Sequence, residues 1–292
     1  MAPFSVIKNK LLSQILCVVI YIISFYVAFI LTPQSIESIW LKITIWHLYA
    51  TVFIYIFSVI ISNSSLYDPF WSVAPIPIVV YLATQYENSL LLKILVLLPI
   101  IFWALRLTRN WIISWKGFEH EDFRYIDLKN TTKIKSEINN LFGIHIFPTL
   151  IVNLGLLPLL FIFTNKINIS FSLILASIFT FCAVILETVA DEQMRKFRSD
   201  TSNKGKTMKY KLWKYSRHPN YLGEILFWFG IFFMGLSSGF APMWTLICPI
   251  TMLALFVFVS CPMMDNRSLI NRPDYKEYME KTSSLILLPP RD

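Results

Sequence analysis

An all-α, polytopic bundle of transmembrane helices is the fold this sequence predicts, and three features predict it. Of the 292 residues, 55% are hydrophobic and 15% charged, with 24 Phe, 13 Tyr and 9 Trp, whereas an ordinary soluble domain carries about a quarter charged residues. Apolar runs near the ~20 residues a helix needs to cross the hydrocarbon recur about eight times. The basic residues are segregated between the loops that join those runs. Disordered and collagen-like chains would need far more Pro, Gly and polar residues than the 15 Pro and 8 Gly present. Cys17, Cys182, Cys248 and Cys261 lie in or at the ends of apolar runs without a CxxC pair, so neither a disulfide framework nor a metal site is expected. The glycines form no GxGxxG and no GxxxxGK[ST], so any nucleotide must be held without those phosphate cradles.

The expected spans, in order, are 11–31, 40–61, 70–82, 90–104, 142–163, 170–189, 221–236 and 242–260. The first follows MAPFSVIKNK, is too long for a signal-peptide core and lacks a small-residue cleavage site, so it reads as a retained span. The third carries Pro75 and Pro77. Proline is tolerated in lipid where neighbouring helices or waters satisfy the freed backbone groups, which places this span inside the bundle. Because the third and seventh are short, the count ranges from seven to nine about a centre of eight. The stretches 1–10, 106–135, 195–217 and 267–292 hold 23 of the 26 Lys and Arg, while Lys42, Lys93 and Lys166 fall singly in the alternating loops. The positive-inside rule makes those four stretches and both termini cytosolic. The chain reads as one integral membrane domain, 1–292. Its net charge of +8 follows from that topology and from attraction to anionic lipid headgroups, about 1 kcal/mol per basic residue near the surface, so nucleic acid is not an expected partner.

Ionisable residues inside a span cost roughly 2.5–3.5 kcal/mol each at the bilayer centre, so each needs a reason. Glu187, Asp191, Arg195 and Arg198 follow at i, i+4, i+8 and i+11, which suggests one stripe of a helix leaving the membrane. That stripe fits a salt-bridged helix end as well as a polar wall that grips a ligand. A denser cluster, Tyr215-Ser216-Arg217-His218-Pro219-Asn220-Tyr221-Leu222-Gly223-Glu224, opens the seventh span. Pro219 suits a first helical turn, Asn220 and Glu224 are one turn apart, and Gly223 leaves room for close backbone approach. A third cluster runs from Arg106 through Arg109, Asn110 and Trp111 to the stretch from His120 to Tyr125, where interfacial anchoring and a pocket rim are both open readings. Asp68-Pro69-Phe70-Trp71 opens the third span, and the tail carries Asp265, Arg267, Tyr275 and Tyr278. His47 and His145 have no acidic neighbour in sequence and read as satisfied core histidines. By the charge argument every cluster faces the cytosol, which suits a polar chamber where a water-soluble cofactor meets a hydrophobic substrate.

At Ser216 to Glu224 the chain resembles the steroid 5α-reductase C-terminal family, and more closely the DUF1295 group of integral membrane proteins within it. The Asp68–Trp71 run, the RLTRNW run from Arg106, the run from His120, Glu187 with Asp191, and the tail match that group in order, over roughly residues 60–289. The resemblance implies a helical bundle that holds NADPH without a Rossmann fold and reduces a carbon–carbon double bond in a hydrophobic lipid or sterol-like enone. It implies a cofactor wall of Glu187, Asp191 and Arg198, with Arg217, His218 and Arg267 toward the diphosphate and Tyr215 and Tyr221 completing the set. Asn220 and Glu224 would lie beside the nicotinamide or substrate. The family polarises the substrate carbonyl with a Glu and a Tyr from early helices; Asp68 and Tyr125 are the substitutes by chemistry here, and with Glu224 they form the expected catalytic group. The chain departs from the group at Phe123, where Trp is usual, and at Asp265-Asn266-Arg267, where two acids precede the Arg. The same superfamily holds isoprenylcysteine carboxyl methyltransferases, which share an RHPxYxG core and bind S-adenosylmethionine; Asn220 and Glu224 favour the reductase. A non-catalytic lipid-binding protein of this fold is the third reading. The implied partners are a hydrophobic small molecule and membrane lipids, in the endoplasmic reticulum of a eukaryote or the plasma membrane of a prokaryote.

Overall fold

The structure is a computed structural model that describes residues 9–291. The segment MAPFSVIK, expected to precede a retained span, and Asp292 lie outside the described residues. Helices dominate, with no strand among the described residues, and eight are long and apolar enough to cross a membrane: Lys10–Leu31, Ile39–Ile61, Ser64–Thr84, Leu90–Ser114, Lys133–Phe163, Phe171–Ser199, Pro219–Ser237 and Met243–Asn271. The chain is thus an all-helical integral membrane protein. Each expected span is present, and several run further than expected. The fourth continues to Ser114, the sixth to Ser199 and the eighth to Asn271. Hydropathy marks only the part of a helix that meets hydrocarbon, whereas backbone hydrogen bonding continues the helix into water with polar side chains.

The ends are set by ordinary caps. Asn9 Oδ1 accepts from Leu11 N at 2.9 Å, Ser89 Oγ from Leu92 N at 3.2 Å and Ser170 Oγ from Leu173 N at 3.2 Å; each satisfies an amide that has no partner within its helix. The third span is broken into Ser64–Tyr67, Phe70–Val73 and Pro75–Thr84, with a proline at the start of the last piece. It and the fifth span are the most buried, 61% of each apolar window against 28% for the first.

Contacts divide the chain into two compact units, Met1–Phe163 and Thr164–Asp292. In the first, polar side chains pair with one another between the second, third and fifth spans. Thr149 Oγ1 lies 2.9 Å from Thr51 Oγ1 and 2.8 Å from Tyr67 Oη, and Thr44 Oγ1 donates to Asn153 Oδ1 at 3.0 Å. His145 is satisfied as expected, with Nε2 3.2 Å from Ser58 Oγ and Nδ1 2.8 Å from the Asn140 carbonyl. His47 is not. It is 1% exposed, neither ring nitrogen has a partner among the described residues, and the neighbouring ring is Phe70. The sequence expectation fails here because an apolar face offers a buried imidazole no acceptor.

In the second unit the sixth and seventh helices come into backbone contact. A Cβ on Gly223 would lie 2.6 Å from Glu187 Cβ, 2.8 Å from Glu187 N and 2.9 Å from the Ala183 carbonyl oxygen, and one on Gly230 would collide with Thr180. Glycine at these two positions is what lets the backbones approach. The eighth helix passes through a π-helical stretch, Phe256–Ser260, before continuing as Cys261–Asn271. A short helix, Tyr275–Lys281, follows.

Candidate functional site

The second unit holds a cavity of about 410 Å³. Its wall comes from the sixth helix (Asp191, Met194, Arg198), the turn into the seventh (Arg217, His218, Asn220, Tyr221), the aqueous extension of the eighth (Arg267, Ser268, Asn271) and Arg272, with Tyr275 and Tyr278 beyond. Met194, Met208 and Trp213 form an apolar flank. Four arginines and one carboxylate, Asp191, line the space, and the charge of Arg272 is felt at Arg198.

Asp265 organises the turn. Buried to 6% exposure, it accepts from Arg217 Nη2 at 2.9 Å and Nε at 3.3 Å, lies 2.9 Å from His218 Nε2 and accepts from the Tyr275 hydroxyl. Burial, and then the bond to Asp265, push the Tyr275 phenol well above the usual tyrosine range, which keeps it a donor. Arg217 is committed further, donating through Nη1 to the carbonyls of Met279 at 3.0 Å and Thr282 at 2.7 Å. The His218 ring stacks on Tyr221 at 5.2 Å and 8°. Arg198, Arg267 and Arg272 are the other guanidiniums of the wall.

Seven of the expected site residues therefore meet on one wall: Asp191, Arg198, Arg217, His218, Asn220, Tyr221 and Arg267. Others stand elsewhere. Glu187 is buried against Gly223. Glu224 lies one turn deeper than Asn220, 2% exposed, and accepts from Trp228 Nε1 at 2.8 Å. Tyr215 is 40% exposed, with Lys214 over its ring. Arg195 does not join the expected stripe; it forks onto Glu192 at 2.6 and 2.7 Å, and Met194 takes its place. At 3.6 residues per turn, a residue eight places after Glu187 has rotated about 80° away, whereas seven or eleven places bring it back within about 20°. The stripe rule alone could have made that correction. Arg272, Asn271, Ser268 and Trp213 were not singled out by sequence. For Ser268 and Asn271 the signal was their i+4 and i+7 spacing from Met264, hidden by ending the last span at residue 260; Arg272 follows directly on that helix, and nothing in the sequence marked Trp213.

The first unit presents a second arrangement. Tyr125 Oη donates to Asp68 Oδ1 at 2.6 Å, and Arg124 Nη2 stands 3.7 Å from the same oxygen. Arg124 is held in turn by a fork onto Asp122, 2.8 and 3.0 Å. Burial, and then the Asp68 charge, raise the Tyr125 phenol well above its ordinary range. The loop that carries Tyr125 is stitched to the start of the third span: Glu121 Oε1 accepts from Ser64 N at 2.6 Å and from Lys129 Nζ at 2.5 Å, and Asn63 Nδ2 donates to the Phe118 carbonyl at 2.9 Å. Asp68 and Tyr125 were paired by chemistry alone in the sequence, and here they are bonded. Pro69, next to Asp68, also lines an apolar groove of about 510 Å³ with Cys17, Tyr21, Phe25, Val73 and Trp111. Three polar side chains on that groove are engaged, Gln14 with the Ile112 carbonyl at 2.8 Å, Thr108 with Ala104 at 2.9 Å and Tyr21 with Leu66 at 2.6 Å, whereas the buried Trp111 Nε1 has no hydrogen-bond partner among the described residues.

Residues 54–282 match the family model DUF1295, whose description is a protein of unknown function. No curated protein and no solved structure matches the chain. The matched stretch takes in the Asp68–Tyr125 pair and the whole of the cavity wall, and covers well over half of the sequence. The chain belongs to the DUF1295 family.

Proposed function

We propose that this protein is a membrane-embedded, NADPH-dependent reductase of a carbon–carbon double bond in a hydrophobic enone. One observation carries the reading: a cavity walled by Arg198, Arg267 and Arg272 against the single carboxylate Asp191. Guanidinium groups complement phosphate oxygens in charge and in fork geometry. The donor set thus fits a dinucleotide carrying several phosphates, and it fits the sulfonium of S-adenosylmethionine poorly, because like charges repel there. The apolar flank of Met194, Met208 and Trp213 suits a nucleobase face.

NADPH, when bound, supplies the hydride. The chain's own residues do the rest. Tyr125, protonated at neutral pH, has a single hydroxyl proton, which bonds Asp68 in the structure; turned toward a carbonyl oxygen placed beside it, that proton would stabilise an enolate. Asp68 holds the proton until then, and Arg124 offsets the Asp68 charge uncovered when it leaves. The apolar groove takes the hydrocarbon body and excludes water. Glu224, one turn along the helix from Asn220, is bonded to Trp228 and lies outside the wall.

The experiment is a binding titration of the purified protein in detergent with NADPH and with S-adenosylmethionine. The reading expects NADPH to bind and S-adenosylmethionine not to compete. Tighter binding of S-adenosylmethionine would establish the methyltransferase alternative, and binding of neither would favour a non-catalytic lipid-binding protein.

A further inference from the structure

The stretch 282–291 contains no helix, yet its backbone converges on three residues at the mouth of the seventh span. Arg217 N donates to the Ser283 carbonyl at 2.9 Å, and Leu288 N donates to the Tyr215 carbonyl at 3.0 Å. Between them Ser216, fully buried, points its Oγ at the carbonyls of Leu285, 2.8 Å, and Ser284, 3.3 Å. The same Oγ accepts from His218 N at 3.1 Å. Arg217 Nη1 reaches the Thr282 carbonyl, and Arg291 N donates to the Lys281 carbonyl at 2.8 Å, closing the stretch back onto its own helix. From inside, the Tyr278 hydroxyl donates to the carbonyl of Trp213 and, at 3.2 Å, to that of Ser216. A stretch without helix is held only where its backbone groups find partners elsewhere. This one is tied to the residues that begin the cavity wall.

We propose that residues 283–291 are a positioning strap for the cavity: by holding Tyr215, Ser216 and Arg217 they fix His218, Asn220 and Tyr221 in the wall and pre-organise it for its ligand. The physical basis is the cost of ordering. A wall already held in its binding conformation spares the ligand that cost, whereas a loosened turn charges it against affinity. The strap touches the reacting groups only through the turn, so its residues are positioning residues. The inference rests on the cavity being the nucleotide site, and the test separates the two claims.

Three full-membrane-domain proteins are compared: the intact chain, Leu288→Pro, which removes the amide that bonds Tyr215, and a chain ending at Thr282. Each is titrated with NADPH, and backbone hydrogen exchange is followed over residues 213–222. The strap predicts affinity about tenfold weaker or worse and faster exchange at 213–222 in both variants, with exchange in the first unit unchanged. A synthetic peptide of residues 283–291 added to the shortened chain should restore both, a rescue that general destabilisation would not allow. Should the shortened chain fail to fold, Leu288→Pro carries the comparison. Unchanged affinity and exchange in the variants overturn the strap. If the intact chain binds no NADPH, the nucleotide reading falls and exchange at 213–222 alone decides the strap.

Discussion

In the second unit the sixth and eighth helices run past their apolar stretches and raise Arg198, Arg267 and Arg272 around an open cavity. In the first unit polar groups turn inward and satisfy one another, as in Tyr125 with Asp68 and Thr149 with Thr51 and Tyr67, beside a groove whose wall is apolar. One arrangement gathers an excess of positive charge, four arginines to one carboxylate, which invites a ligand of the other sign. The other hides a single acid–phenol pair at the edge of an apolar surface. The contrast teaches that gripping a polyanion and polarising a greasy substrate call for opposite solvation, and that each unit, taken by itself, suits one of the two.

Mutations that act on one unit and spare the other break or sharpen this contrast. The largest effect is expected at the acid. Tyr125→Phe removes the donor, so turnover should fall about 10²- to 10⁴-fold while NADPH affinity stays within about twofold of the parent; loss of affinity in step with turnover would contradict the division of labour. Arg272→Ala tests the opposite side. Hydrogen bonds to charged groups are worth about 1.5–3 kcal/mol, so affinity should weaken roughly 10- to 100-fold, and raising the salt should narrow the gap. Gly223→Ala probes the packing beneath the wall. Its methyl would meet the backbone atoms Glu187 N and the Ala183 carbonyl oxygen, which cannot swing aside, so a loss of about 1–3 kcal/mol should appear as a lower melting temperature in detergent.

Smaller effects follow from protonation and from the surface. The Tyr275 and Tyr278 phenols are raised above their ordinary value by burial. A folded pKa above the unfolded one contributes stability in full below the unfolded value, about 10, and loses it as pH climbs toward the folded one. Melting of the second unit should therefore be insensitive to these groups from pH 7 to about 9 and fall above about 10, and Tyr275→Phe should flatten its share of that fall. A steep loss below pH 9 traced to Tyr275 would contradict the assignment. Arg195→Ala should do least. It removes an exposed fork to Glu192 outside the cavity, so NADPH affinity should stay within about twofold; a larger drop would return Arg195 to the wall.

Much of the fold was legible because lipid is a simple solvent. It demands about 20 apolar residues per crossing, and those runs identify all eight helices. Their ends were not legible, because nothing in hydropathy says where a helix stops once it is in water, and Arg272 was missed for that reason. Six of the wall residues were found from clustered chemistry at the mouth of the seventh span and along the sixth, and a seventh, Arg267, from the tail. Glu224 illustrates what a spacing rule leaves out: it shares a face with Asn220, yet one turn of depth places it against Trp228. Asp265 was visible only as a residue of the tail, since its role depends on Arg217, His218 and Tyr275 arriving from distant stretches of sequence. His47 shows the converse, a residue whose setting gives it less than its type suggests.

The most direct test of the central claim is hydride transfer itself. The protein, reconstituted in vesicles with a total membrane-lipid extract, is given NADPH deuterated at the transferable position, and the lipids are resolved by mass. The account predicts deuterium in a lipid that has lost one carbon–carbon double bond, with the label absent in Tyr125→Phe. Unoxidised NADPH across the full extract, or methyl label from S-adenosylmethionine appearing in its place, would contradict it.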